Sequence, residues 1–325
     1  MKKLISLLVS LALLAWIYHK IDVTRIADVF RESSPALLVL SLAMVIPLTL
    51  ATSWRLCQLM PEGQPLGLWE ATRLTLMASV LNMILPSKMG DVAKAGFMAE
   101  KGHLKGSLAF ALVVFEKACD MASLLAWCGV GLAFYPHKDL LFWTMTAAVA
   151  GGFTLLALLI GSKSFASFFF SAACRFAPQR IATKLAALEE SWSEMHGYFW
   201  QSRGKLILVT STSLGIWILH LLQIWLFTLA LRASVPFMAG MAVSPLALLA
   251  GLLPLTFAGI GTRDAALVYF FAPYMKNADA AALGVLCTMR YVLPAIGGLP
   301  FIGDSIGRFF RNSGRTGNTR EAGGT

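Results

Sequence analysis

The sequence predicts an all-α polytopic membrane protein, with about six full spans and two re-entrant helical hairpins in an inverted-repeat arrangement. Three observations predict it. The 325 residues are 57% hydrophobic and only 14% charged, with a mean hydropathy of +0.70. A soluble domain of this length cannot hide that much apolar surface. The apolar residues fall in long runs without period-two alternation, which excludes a β-barrel. Two shorter apolar runs lead straight into polar clusters, LPSKMGDVAKA at 85–95 and LPLTFAGIGTRDAAL at 253–267.

The elements follow in order. The N-terminus, MKKLISLLVSLALLAWIYHK, has the charged start and apolar middle of a signal peptide. It ends in Trp16, Ile17, Tyr18 and His19 with no small-residue cleavage site, so 4–18 reads as a retained first helix. The other spans are 35–56, 107–135, 140–160, 206–231 and 278–302. The shorter runs 71–85 and 245–257 are the re-entrant ones. A single transmembrane domain covers 1–311, with halves at 1–161 and 206–311. Between them, 162–205 carries Ile181, Leu185, Leu188, Trp192, Met195 and Phe199 at helical spacing. This is an amphipathic helix, set either at the cytoplasmic interface or against the bundle. The tail 312–325 is polar, Gly-rich and expected to be disordered.

The orientation comes from the bases. With the N-terminus inside and both short runs returning to their own side, Lys2, Lys3, the bases of 55–105 and 163–205, and those of the tail all face the cytoplasm. Few remain outside. Were the first short run a full crossing, Lys88, Lys94, Lys101 and Lys105 would lie outside, against the positive-inside bias. The formal charge of +10 therefore reflects the cytoplasmic face and anionic lipid; nucleic acid is not an expected partner. The first hairpin then enters from the cytoplasm and the second from outside, each between two long spans. That is the layout of transporters that offer one site to both sides.

The polar clusters are the candidate site. Pro86 and Gly90 break one apolar segment; Pro254, Gly259 and Gly261 break the other. Irregular backbone at membrane depth is tolerated only against protein or a wet cavity, and a helix N-terminus there attracts an anion. Lys88 and Lys94 stand beside the first break and Arg263 beside the second. Asp91 and Asp264 orient the bases or cap the new helices. Interfacial turns with snorkelling lysines are the plainer alternative. In VVFEKACD, Glu116 and Asp120 are i and i+4 on one helix face, beside Lys117. Arg290 lies deep in the last span, four residues before Pro294, and needs a carboxylate or a phosphate. Arg73, Asn82 and His220 read as helix–helix bonds or interface residues. Cys57, Cys119, Cys128, Cys174 and Cys287 are scattered, without metal or redox spacing, as expected of small core residues.

These elements together resemble a known family. LPSKMGDVAKA is similar to an LP-x-x-x-G-[DE]-x-x-[RK] element, EKACD to E-[RK]-x-x-D, and LPLTFAGIGTRDAAL to P-x-x-x-G-G-x-G-x-R-E. They occur in that order in the membrane domain of lysylphosphatidylglycerol synthases and its flippase-like relatives. Ala258 stands where a glycine is common and Asp264 where glutamate is usual. The resemblance implies a membrane domain that moves a lipid, or a lipid-linked group, between leaflets, without lysyl transfer.

The expected function is therefore translocation of a phospholipid or lipid-linked anionic head group in the bacterial inner membrane, with both termini cytoplasmic. Lys88, Lys94, Arg263 and Arg290 are the expected head-group contacts. Asp91, Glu116, Asp120 and Asp264 are their charge partners or proton-coupling groups. No cofactor or metal and no enzymatic activity is expected. The partners are membrane lipid and, secondarily, a lipid-pathway enzyme. An intramembrane lipid-modifying enzyme and an accessory subunit of a glycolipid pathway remain the alternatives.

Overall fold

A computed structural model describes residues 23–61, 65–84, 89–101, 104, 106–135, 138–252 and 261–318. The expected first helix at 4–18 lies outside them, as do Pro86, Lys88, Pro254 and Gly259. Thirteen helices and no strand occur among the described residues. Four are long and apolar enough to cross a membrane: Pro35–Leu59, Leu140–Gly161, Arg203–Ala230 and Asn277–Ile302.

Helix α1 (Val23–Glu32) packs on the last helix and tucks Ile26 into the core. The Ser34 amide donates to Ala230 O at 2.8 Å, and Pro35, which has no amide hydrogen to leave unpaired, opens the next helix. The first span is two pieces, α2 (Pro35–Ala43) and α3 (Val45–Leu59), divided at Met44. Pro47 explains the division: it cannot donate to Ala43 O, and its ring crowds that carbonyl.

Helices α4 (Leu68–Ile84) and α5 (Met89–Lys101) pack on each other across the segment 85–88. Helix α6 (Gly106–Phe134) is 29 residues long and heavily buried. Helix α7 (Leu140–Gly161) is capped by Asp139, which accepts from the Phe142 amide at 2.9 Å, and α8 (Lys163–Phe176) by Ser162. In α9 (Gln179–Gln201) the apolar stripe turns into the bundle. Trp192 and Phe199 are buried, Trp192 Nε1 donates to Leu159 O, and the Phe199 ring stacks on Phe115 at 4.0 Å. Of the two settings open from sequence, this stripe takes the bundle; among its described side chains only the first, Ile181, is exposed.

The second half repeats the plan with α10 (Arg203–Ala230), the pair α11 (Phe237–Ala250) and α12 (Thr262–Phe271), and α13 (Asn277–Asn318). The helical backbone of α13 passes residue 312, where composition begins the tail. The contacts between the halves are reciprocal. Helix α4 packs on α3 before it and on α13 of the other half; α11 packs on α10 before it and on α6 of the other half. The second helix of each pair lies on the long helix that follows it, α5 on α6 and α12 on α13. Matched glycines make the crossed contacts. A Cβ on Gly131 of α6 would stand 2.2 Å from Ala242 O of α11, and one on Gly298 of α13 would stand 2.3 Å from Leu76 O of α4.

Two apolar cores result. One gathers α10, α11, α12, α13 and the end of α6; the other gathers α3, α4, α5, α9 and the start of α6. Helix α6 passes between them across residues 119–124. Its charges, Glu116, Lys117 and Asp120, sit within a turn of the start of that crossing.

Candidate functional site

Helix α6 brings Glu116, Lys117 and Asp120 to one level of the bundle, because residues three and four apart share a helix face. Glu116 is 1% exposed, so its charge is compensated within the protein. Lys94 Nζ of α5 donates to its Oε2 at 2.6 Å and Arg55 Nη2 of α3 to its Oε1 at 3.0 Å. Arg55 is the hub. Its other nitrogen, Nη1, donates to Asp120 Oδ1 at 2.5 Å and to Ser213 Oγ of α10 at 2.9 Å. One guanidinium fork thereby ties three helices together. Lys117 Nζ lies 3.4 Å from Asp91 Oδ2 and 3.8 Å from Asp120 Oδ2, and Asn82 Nδ2 donates to Asp91 Oδ1 at 3.4 Å. Gly90 makes the Asn82–Asp91 approach feasible: a Cβ there would meet Ala78 O at 2.3 Å and Asn82 Oδ1 at 2.7 Å.

A cavity of about 180 Å³ adjoins this network. Its walls are single helix faces: Thr49 and Thr52 of α3, Thr75, Ser79 and Asn82 of α4, Asp91 and Lys94 of α5, Glu116 and Lys117 of α6, His220 and Gln223 of α10, and Arg290 and Pro294 of α13. Both halves of the chain contribute. Arg290 is 7% exposed. Its Nη2 donates to His220 Nδ1 at 2.9 Å, so that ring nitrogen carries a lone pair and no proton. Its Nε and Nη1 have no hydrogen-bond partner among the described residues.

Arg263 and Asp264 were expected at this site and do not line the cavity. Asp264 Oδ1 accepts from Arg263 Nε and Nη2 at 2.9 and 2.6 Å, and Nη2 also donates to Gly284 O and Thr288 Oγ1. The Gly261 amide, at φ 104°, donates to Asp264 Oδ2. The pair thus fastens the start of α12 to one face of α13. Arg290 follows Thr288 by two residues, roughly 200° around a helix of 3.6 residues per turn, and so faces elsewhere. Arg290 pairs with none of the carboxylates expected for it; histidine takes that place.

Among the described residues the charges of the site balance except at one point. The carboxylates of Asp91, Glu116 and Asp120 are matched by Arg55, Lys94 and Lys117. Arg290 is left over beside the cavity, facing His220 and no carboxylate. A cationic site in a low-dielectric setting attracts an anion.

The family model for the lysylphosphatidylglycerol synthase TM region matches residues 3–298. The chain belongs to that family. It is also similar to a UPF0104 membrane protein of Methanocaldococcus jannaschii, 25% identical over 313 residues, covering 91% of this chain and 92% of that one. As a member of the lysylphosphatidylglycerol synthase TM family it is an integral membrane protein. The family-like elements at 85–95 and 116–120 meet at the charge network, and the one at 253–267 ends in the Arg263–Asp264 fastening.

Sequence reasoning missed Arg55, Ser213 and Gln223. Arg55 had a signal: Leu48, Thr52, Arg55 and Leu59 recur at spacings that put them on one face of α3, with Leu48 and Leu59 buried. Ser213 and Gln223 are uncharged residues in an apolar span and leave no comparable trace. Asn82 and His220 do bridge helices as expected, and also line the cavity. Arg73 stays out of it, beside Glu70 and the Phe301 ring.

Proposed function

We propose that this protein is a translocase for a lipid with an anionic phosphate head group, working in the cytoplasmic membrane with both termini inside. The observation that carries this is Arg290, a buried guanidinium without a carboxylate partner among the described residues, lining a cavity built by both halves. Membership of a membrane-domain family and the reciprocal packing of the halves support it. Reciprocal halves around a shared cavity are how many transporters open one site to either side. Among the described bases of that expectation, the head-group contact falls to Arg290. Lys94 is spent on Glu116 and Arg263 on Asp264. Lys88 lies outside the described residues. The carboxylates act as holders of bases. Asp91, Glu116 and Asp120 each face a cation within ion-pair distance.

Purified protein in liposomes, assayed for movement of labelled phospholipid between leaflets, tests this. Arg290→Gln should slow wild-type movement by at least about tenfold, as expected for loss of a charge-assisted contact. Equal rates for wild type and Arg290→Gln would reject it.

A further inference from the structure

Helix α8, KSFASFFFSAACRF, has three faces, and the bundle uses two of them. Successive residues turn by about 100° around a helix. Ala166 and Phe170 share the inner face and are buried, and the Phe170 ring lies 6.2 Å from that of Trp192 of α9. Ser164, Ser167 and Ser171 form a polar face within an arc of about 60°. From it, Ser167 Oγ donates to Glu189 Oε1 of α9 at 2.7 Å. Phe165, Phe168, Phe169, Ala172 and Phe176 form the third face, within an arc of about 100°. Phe168 is 71% exposed and Phe176 88%, so the described residues leave this face largely uncovered. Adjoining phenyl rings turned outward mark a surface that meets something other than water.

Position, length and charge decide what it meets. Helix α8 starts one residue after α7, which is long and apolar enough to cross a membrane and exposes Phe153, Leu155 and Leu158 near its end. Ser162 turns the chain there, its Oγ accepting from the Phe165 amide at 3.2 Å. The helix therefore begins where a span leaves the bilayer. Its 14 residues rise about 21 Å, short of a hydrocarbon core of roughly 30 Å, so it does not cross. It contains no acid, and its two bases, Lys163 and Arg175, are exposed. Arg175 falls between the serine face and the phenyl face, where its stem can lie on apolar surface and its charge reach phosphate. We infer that α8 lies in the plane of the membrane surface, with the phenyl face in the lipid of the leaflet where α7 ends. The bases gathered in 163–205 make that leaflet the cytoplasmic one, whose anionic lipid suits Lys163 and Arg175.

A second copy of the chain fits this face less well. One stripe of a helix about 21 Å long and about 10 Å wide offers about 200 Å², against roughly 800 Å² per partner in a stable complex. A bilayer sets no such minimum, because a helix with one apolar face settles into it by that face alone. The interfacial setting that composition offers to the α9 stripe thus falls to the helix before it. The joint between the two halves of the chain is then held at the membrane surface by α8 and against the bundle by α9.

Spin labels read the setting directly and stand apart from any transport assay. With Cys57 and Cys174 replaced by serine and the other cysteines buried, Ser164→Cys, Phe168→Cys, Phe169→Cys, Ser171→Cys and Phe176→Cys are labelled one at a time. Each full-length protein is placed in vesicles of phosphatidylcholine and phosphatidylserine. Collisions are then measured with oxygen, which collects in lipid, and with a nickel chelate, which stays in water. Labels at 168, 169 and 176 should sit about 5–10 Å below the phosphates, with an oxygen-to-nickel ratio at least about fivefold that at 164 and 171. Phe168→Asp combined with Phe176→Asp should bring the label at 169 up to the ratio seen at 171, because charge withdraws the face from lipid. A label at 169 that keeps its depth in that variant overturns the inference, since another surface then holds α8 in place. Equal access of nickel to every position puts α8 in water and also overturns it. Low collision with both reagents at 168, 169 and 176 means that protein covers the face, which overturns it too. Spin–spin broadening that fades on dilution with unlabelled protein would then identify the cover as a second copy.

Discussion

Arg55 shows what a single guanidinium does that a lysine does not. Its two terminal nitrogens reach Glu116, Asp120 and Ser213 at once, across three helices. An ammonium is a point donor and cannot keep that span. Removing one member of a buried pair leaves the other charges uncompensated, at a cost of about 3–5 kcal/mol. Arg55→Met should therefore lower thermal stability in detergent by that much, and Arg55→Lys by about half, because charge is kept and the fork is lost. A lysine variant as stable as wild type would mean the fork geometry is unused. This residue escapes the sequence reading despite its place on one face of α3 with Leu48, Thr52 and Leu59. At the end of the span 35–56, Arg55 counts among the cytoplasmic bases of 55–105, whereas the helix continues to Leu59 and buries it. The acids it serves were legible because three ionisable residues inside one apolar run have no cheap explanation. Arg290 was legible for the same reason, but its histidine partner was not: His220 is a common enough residue that its place opposite a guanidinium depends on how α10 and α13 meet.

Among the helices, the crossed contacts of α6 with α11 and α13 with α4 rest on glycine. At Gly131 and at Gly298 the neighbouring backbone occupies the space a side chain would need. Alanine at either position forces the helices apart by an ångström or more, and overpacking of that kind costs about 1–3 kcal/mol. Gly131→Ala and Gly298→Ala should each lower the unfolding temperature in detergent, whereas Gly129→Ala, with open space around it, should not. Matched losses at 131 and 298 would show that the two contacts are equivalent; no loss at either would remove the case for reciprocal halves. Sequence patterning recovered most of these elements, since apolar run length and proline are local signals. It drew both short pairs from their breaks at Gly90 and Gly261. It left the setting of α9 open, because a stripe of Ile181, Leu185, Leu188, Trp192, Met195 and Phe199 suits a lipid surface and a helix bundle equally. Packing resolves it: Tyr198 Oη and Lys205 Nζ both donate to Met60 O, which holds α9 and the start of α10 under the end of α3.

Over the whole molecule, reciprocal packing has a consequence for sidedness. If the halves are inverted with respect to the membrane, the first hairpin begins and ends on the cytoplasmic side and the second begins and ends on the other. Gly67 and Gly106 flank the first hairpin, with no atom close to either Cβ position, so a cysteine fits at both. Ala233 and Lys276 flank the second, between α10 and α11 and between α12 and α13. Of the native cysteines, Cys119, Cys128 and Cys287 are buried, so replacing Cys57 and Cys174 by serine gives a quiet background. In sealed cells, an impermeant maleimide should label Ala233→Cys and Lys276→Cys. It should reach Gly67→Cys and Gly106→Cys only in inside-out vesicles. Two labels of one hairpin on opposite faces would make that pair a single crossing. That outcome would place Lys94 and Lys101 outside, against the charge bias that orients the chain. The halves could then no longer be inverted copies facing one cavity, and Arg290 would belong to a site open to one side alone.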